Sequence, residues 1–209
     1  VYRGVYSYFL SNLSSHVYSF EANPLLHKTL KKSLKDKKNV TLENIAISSN
    51  TGHTKIRIPI RNKGLNYKNY EEEYELGLAT IHDKNTLENK EIHEIGIKKI
   101  KLDDYSFNHP ISFIKIDVEG HEKEIIDGAT NLILCHKPYL LIEIEERHTS
   151  KPIFQVISDI NSKGYECFIL DKLNFKLLNI INLNIDTIAS NNFIFIPKDK
   201  ISADIKYDH

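Results

Sequence analysis

Methionine and tryptophan are absent from the 209 residues, cysteine occurs twice, and glycine and proline supply only eight and six. A chain that opens on Val1 without methionine reads as a piece of a longer protein, with its first residues falling inside an element. The two cysteines, Cys135 and Cys167, lie in apolar surroundings and are expected as buried, reduced thiols, which excludes a disulfide framework. They also lack partners at ligand spacing, which argues against a zinc module. No window approaches the ~18 uninterrupted apolar residues of a membrane span. The N-terminus has no basic-then-apolar signal pattern, so a cytoplasmic location is expected. An excess of either charge is missing as well: 28 basic residues balance 28 acidic ones, leaving no global field to gather nucleic acid or an anionic membrane. No repeat or low-complexity tract occurs.

What remains is a length suited to one domain over 1–209, long enough to bury a full core. Val5, Tyr8, Phe9 and Leu13 follow Gly4 at helical spacing. HVYSF (16–20) reads as a strand. Asn23 is then a helix cap and Pro24 the first helical residue, with Leu26, Leu30 and Leu34 as the apolar stripe. Strands are expected at 39–47 and, across a Thr51-Gly52 turn, as a hairpin partner at 54–60. Residues 61–96 form a polar insert, a candidate lid, containing Tyr67, Tyr70, Tyr74 and His82. Further strands are expected at 97–105, in the run ISFIKIDV at 111–118, and at 138–146, 165–170, 174–178 and 191–197. One helix is expected from Gly120 to about His136, another from Ile153 to Gly164, and a frayed tail over 198–209. Strands alternating with amphipathic helices predict an α/β fold around a mainly parallel sheet, with helices on both faces.

Open parallel sheets bind ligands beyond the carboxyl ends of their strands. Glu21 ends the HVYSF strand, 17 positions after Gly4, where a carboxylate can hold both hydroxyls of a ribose. A solvated strand end, or a partner for the dipole of the helix starting at Pro24, is the plainer reading. The stretch FIKIDVEGHEKEII (113–126) places Asp117 at a strand end, Glu119 near the next helix start, and Gly120 where the backbone turns sharply or a ligand approaches. Glu122 and Glu124 read as solvated helix-start acids, and His121 either as an exposed first-turn residue or as a base. Asp117, His121, Glu143, Glu145 and His148 could converge on magnesium or calcium, but without fixed spacing this divalent-metal reading is not favoured.

In order and spacing, VYRGVYSYFLSNLSSHVYSFEANP, VTLENIAISSNTGHTKI, IKKIKLDDY, SFIKIDVEGHEKEIIDGA and PYLLIEIEE resemble the FkbM family of S-adenosylmethionine-dependent methyltransferases. The resemblance covers about residues 1–148, and IKIDVEGHEKEIIDGA is its specific part. It implies a Rossmann-like class I methyltransferase fold with an antiparallel last strand. By the same resemblance Gly4 is the last glycine of the cofactor loop, Glu21 binds the ribose, Ala22 and Asn23 border it, and the backbone near Asn44, Ala46 and Ile47 faces the adenine. Asp117 belongs to the cofactor and substrate face, with Asp117, Glu119 and His121 as candidate catalytic residues. Val1 and Tyr2 stand where the family's loop has alanine and asparagine, and its earlier glycine, aspartate and first strand lie upstream or are missing. The implied reaction is O-methylation of a sugar or secondary-metabolite hydroxyl, with a small-molecule or glycan acceptor. A non-catalytic methyltransferase-like module of a glycan-synthesis protein is the alternative. A nicotinamide-dependent oxidoreductase is weaker, because no dinucleotide fingerprint is visible. Nothing in the sequence sets the oligomeric state.

Overall fold

Asn23 shows how the sequence starts its helices. Its side-chain oxygen accepts the Leu25 N–H at 3.0 Å and the Leu26 N–H at 3.5 Å, and Pro24 occupies the first helical position, where no donor is needed. The computed structural model describes residues 4–61, 73–81, 91–118, 120–144, 153–183, 190–201 and 207–208. These fall into two compact units, Val1–Tyr105 and Ser106–His209.

In the first unit, helix α1 (Val5–Ser11) leads to strand β1 (Val17–Phe20), helix α2 (Pro24–Ser33) and strand β2 (Val40–Glu43), which pairs parallel with β1. The short β3 (Ala46–Ile47) and the long β4 (Gly52–Pro59) both pair with β5 (Ile92–Ile100), parallel and antiparallel respectively. The hairpin expected between 39–47 and 54–60 is therefore replaced by a β4–β5 ladder closed across the insert. Ala46, Ile56, Ile58 and Ile97 form the core of this sheet. Tyr74, from the insert, packs against that core and tilts onto His93, as a tyrosine that pins a loop does. Tyr67, Tyr70 and His82 lie outside the described residues.

Helix α1 is inverted relative to its apolar pattern. Val5, Tyr8, Phe9 and Leu13 are exposed, whereas Ser7 and Ser11 are buried. Small residues on the inner face permit close approach. The Ser19 hydroxyl on β1 donates to the Ser7 hydroxyl at 2.8 Å, so the polar pair is satisfied where it is buried. On α2 the expected stripe holds, with Leu26, Leu30 and Leu34 all buried.

The second unit is one six-stranded sheet in the order β11-β9-β8-β10-β7-β6. Its strands are β6 (Phe113–Ile116), β7 (Tyr139–Glu143), β8 (Tyr165–Asp171), β9 (Lys176–Asn179), β10 (Asn192–Pro197) and β11 (Tyr207–Asp208). Strands β6 and β7 are parallel, and β10 runs antiparallel to both β7 and β8. The β4–β5 and β8–β9 ladders add further antiparallel pairs, so the sheets are mixed rather than mainly parallel. Tyr207 and Asp208 pair with β9, so this part of the expected frayed tail is a strand.

Between β6 and β7, the single helix expected over 120–136 is two short ones, α3 (Glu122–Asp127) and α4 (Thr130–His136), parted at Gly128 and Ala129. Helix α5 (Ile153–Asn161) buries Val156, Ile157 and Ile160 but leaves Phe154 exposed. Leu140, Ile142, Phe168, Phe193 and Phe195 make the buried centre of the sheet. Cys167 is buried, which pushes its thiol well above the usual range, whereas Cys135 is exposed, against the expectation for both.

Candidate active site

In the first unit, the strand end after β1 is pinned from several directions. The Glu21 N–H continues the ladder to Glu43 O at 2.9 Å. The Glu21 side chain turns inward, with only 6% of the residue exposed, and its Oε1 accepts the Asn23 N–H at 2.8 Å. That bond excludes the solvated-strand-end reading and places the negative charge beside the α2 N-terminus, where the helix dipole favours it. The Asn44 amide donates to Glu21 O at 2.8 Å and to Ala22 O at 3.4 Å, so Asn44 braces the loop. Ala46 and Ile47 are buried and pair with Lys99 and Ile100 of β5, and Ala22 of the loop packs against the core cluster that contains Ala46.

Gly4 has a φ of 70°, a conformation that side chains strain to adopt, and a Cβ built there would stand 2.9 Å from Leu30 Cδ2. Its lack of a side chain is what seats the start of α1 against α2.

Tyr105 was not singled out by the sequence. Its hydroxyl donates to Glu43 Oε1 at 3.1 Å, and its ring meets Phe20 edge-on at 5.0 Å and Tyr18 at 6.0 Å. Burial first, then the hydrogen bond to Glu43 and its charge, push its ionisation up to about 12 from an ordinary 10.0. The folded state therefore holds this proton more tightly than the unfolded chain. The resulting stability is full below pH about 10 and is lost as the pH rises toward 12. Denaturant melts between pH 9 and 12 are expected to show that loss, with a shallower decline in Tyr105→Phe; equal slopes would refute the assignment.

In the second unit, Asp117 directly follows β6, as expected of a strand-end carboxylate, and its side chain is half exposed. Beneath it lies Lys115, whose Nζ is 3.6 Å from Asp117 Oδ2 and 3.6 Å from Glu143 Oε2 at the end of β7. Opposite charges about 4 Å apart attract by roughly 4 kcal/mol at an effective dielectric of about 20, and solvent over the two carboxylates reduces this.

Gly120 has a φ of 92°, the sharp turn expected of it. Glu122 is not a solvated helix-start acid: it is 5% exposed, and its Oε1 accepts the Gly120 N–H at 3.1 Å, closing the turn that begins α3. His121, at the cap of α3, is mostly buried rather than exposed, with Nδ1 3.7 Å from Glu124 Oε2. Glu119, Glu145 and His148 lie outside the described residues. Among the described residues no three His, Cys, Asp or Glu side chains converge as a metal site.

The family model of the methyltransferase FkbM domain matches residues 2–167. This chain belongs to the FkbM methyltransferase family. Its fold is similar to a crystal structure of methyltransferase FkbM from Methylobacillus flagellatus KT, at 16% identity and a TM-score of 0.56. The likeness covers 93% of this chain and 40% of that one, so the chain spans less than half the length of that protein. No curated protein matches the chain.

For this FkbM-family chain, the structure holds the loop Glu21, Ala22 and Asn23 together with Asn44 in the first unit. In the second it groups Asp117 with Glu143, and His121 with Glu124. Lys115, Glu43 and Tyr105 went unnoticed in the sequence. For Lys115 a signal existed: a lysine two positions before a strand-end aspartate shares its face, because side chains alternate along a strand. For the Tyr105–Glu43 contact none did, since the two are 62 positions apart and meet only through tertiary packing.

Proposed function

We propose that this chain is the Rossmann-like core of an S-adenosylmethionine-dependent methyltransferase, a single domain over 1–209 that O-methylates a hydroxyl of a sugar or secondary metabolite. Glu21 carries the cofactor reading: a buried carboxylate at the carboxyl end of a parallel strand, aimed by a backbone N–H, in a loop braced by Asn44. Glu21, its Oε1 held by the Asn23 N–H, is the carboxylate for the ribose hydroxyls, and Ala22 and Asn23 border it in the same loop. The cofactor, when bound, supplies a methyl group already activated on a sulfonium. What remains for the chain is to align an acceptor, exclude water and take up the proton of a hydroxyl. Asp117, half exposed and held by Lys115, is the favoured acceptor-side group, with His121 and Glu119 as the other candidates for the base.

Calorimetric titration of S-adenosylmethionine and S-adenosylhomocysteine into the full-length protein tests this. Both are expected to bind, and Glu21→Ala to weaken them at least tenfold, about 1.4 kcal/mol, without a matching loss of fold. No heat for either ligand would sink the enzyme reading in favour of a non-catalytic module.

A further inference from the structure

Lysine is among the residues least often buried, yet the Lys115 side chain is only 10% exposed while its partners Asp117 and Glu143 are 50% and 33% exposed. The arrangement follows from the strands. Alternation along β6 puts Lys115 and the residue after the strand end, Asp117, on one face. The parallel register, which pairs Ile116 with Ile142, brings Glu143 alongside Asp117 at the next step. Two carboxylates side by side on neighbouring strands repel unless a cation lies between them. Here the cation is the chain's own: the ammonium sits 3.6 Å from an oxygen of each, with a further contact to Ile116 O at 3.4 Å. On the other side of β7, the residue paired with Glu143 is the uncharged Asn192.

We infer that the Asp117–Glu143 pair is a divalent-cation seat that this chain fills with the Lys115 ammonium, which makes Lys115 the residue that positions both carboxylates. Held from below, the two carboxylates present their open sides as paired acceptors, suited to an acceptor molecule bearing adjacent hydroxyl groups. That last role rests on the methyltransferase reading of Asp117; the seat itself does not. Removing the ammonium should leave two uncompensated carboxylates that an oxygen-seeking metal ion can bridge.

The probe is Mn²⁺ alone, followed by the loss of its free-ion electron paramagnetic resonance signal, with neither cofactor nor acceptor present. Lys115→Met is expected to bind Mn²⁺ at least tenfold more tightly than wild type, and Mn²⁺ to raise its melting temperature. Lys115→Arg should behave as wild type, and Lys115→Met/Glu143→Gln should lose the gained affinity. Should Lys115→Met fail to accumulate folded, Lys115→Gln makes the same comparison. A folded Lys115→Met or Lys115→Gln with affinity within twofold of wild type would overturn the inference, as would wild-type Mn²⁺ binding that Asp117→Asn abolishes. Since no methyl donor enters the measurement, its failure and a failed S-adenosylmethionine titration are separate results.

Discussion

Gly4→Ala is expected to destabilise the protein by about 2–5 kcal/mol, the sum of a left-handed backbone conformation imposed on a residue with a Cβ and of overpacking. The added methyl would stand 2.9 Å from Leu30 Cδ2, so the fully buried Leu30 side chain would have to shift within the core. A urea unfolding curve measures the loss. The double variant Gly4→Ala/Leu30→Ala separates the two causes: the clash is relieved and the backbone strain stays, so the combined loss should be smaller than the sum of the single ones. An unfolding free energy within 0.5 kcal/mol of wild type for Gly4→Ala would refute this account of how α1 is seated.

Ile142→Ala should cost a comparable amount, about 2–5 kcal/mol, by opening a cavity at the centre of the second unit. Ile142 is fully buried on β7, the strand that pairs with β6 on one side and β10 on the other. It also precedes Glu143 and sits opposite Ile116, the residue before Asp117, so relaxation into the cavity shifts the backbone that carries both carboxylates. Leu141→Ala, one position away on a partly exposed face, is the control and should cost clearly less. Equal losses for the two variants would show that burial on β7 does not set the energetics of this unit.

Much of the architecture was legible because it depends on local chemistry. The Asn23 cap, the Leu26–Leu30–Leu34 stripe, the β1–α2–β2 unit and the position of Asp117 just past β6 each follow from spacing within a few residues. The misreadings share a cause. Apolar spacing at α1 correctly gave a helix but the wrong face, because periodicity says which residues align and not what they meet. At Ser7 the partner is a serine hydroxyl on β1. Glu122 read as solvated because acids commonly begin helices; only the Gly120 turn, folding an N–H toward the carboxylate, buries it.

By itself, then, the sequence determined the elements that rest on local spacing, the family, and the strand ends that carry Glu21 and Asp117, since these are properties of contiguous residues. Tertiary structure alone decided the partners: β5 for both β3 and β4, Glu43 for Tyr105, and Lys115 between two carboxylates contributed by different strands. Strand register and burial fix such partners, and both arise from the packing of residues far apart in the chain, where no local pattern can encode them.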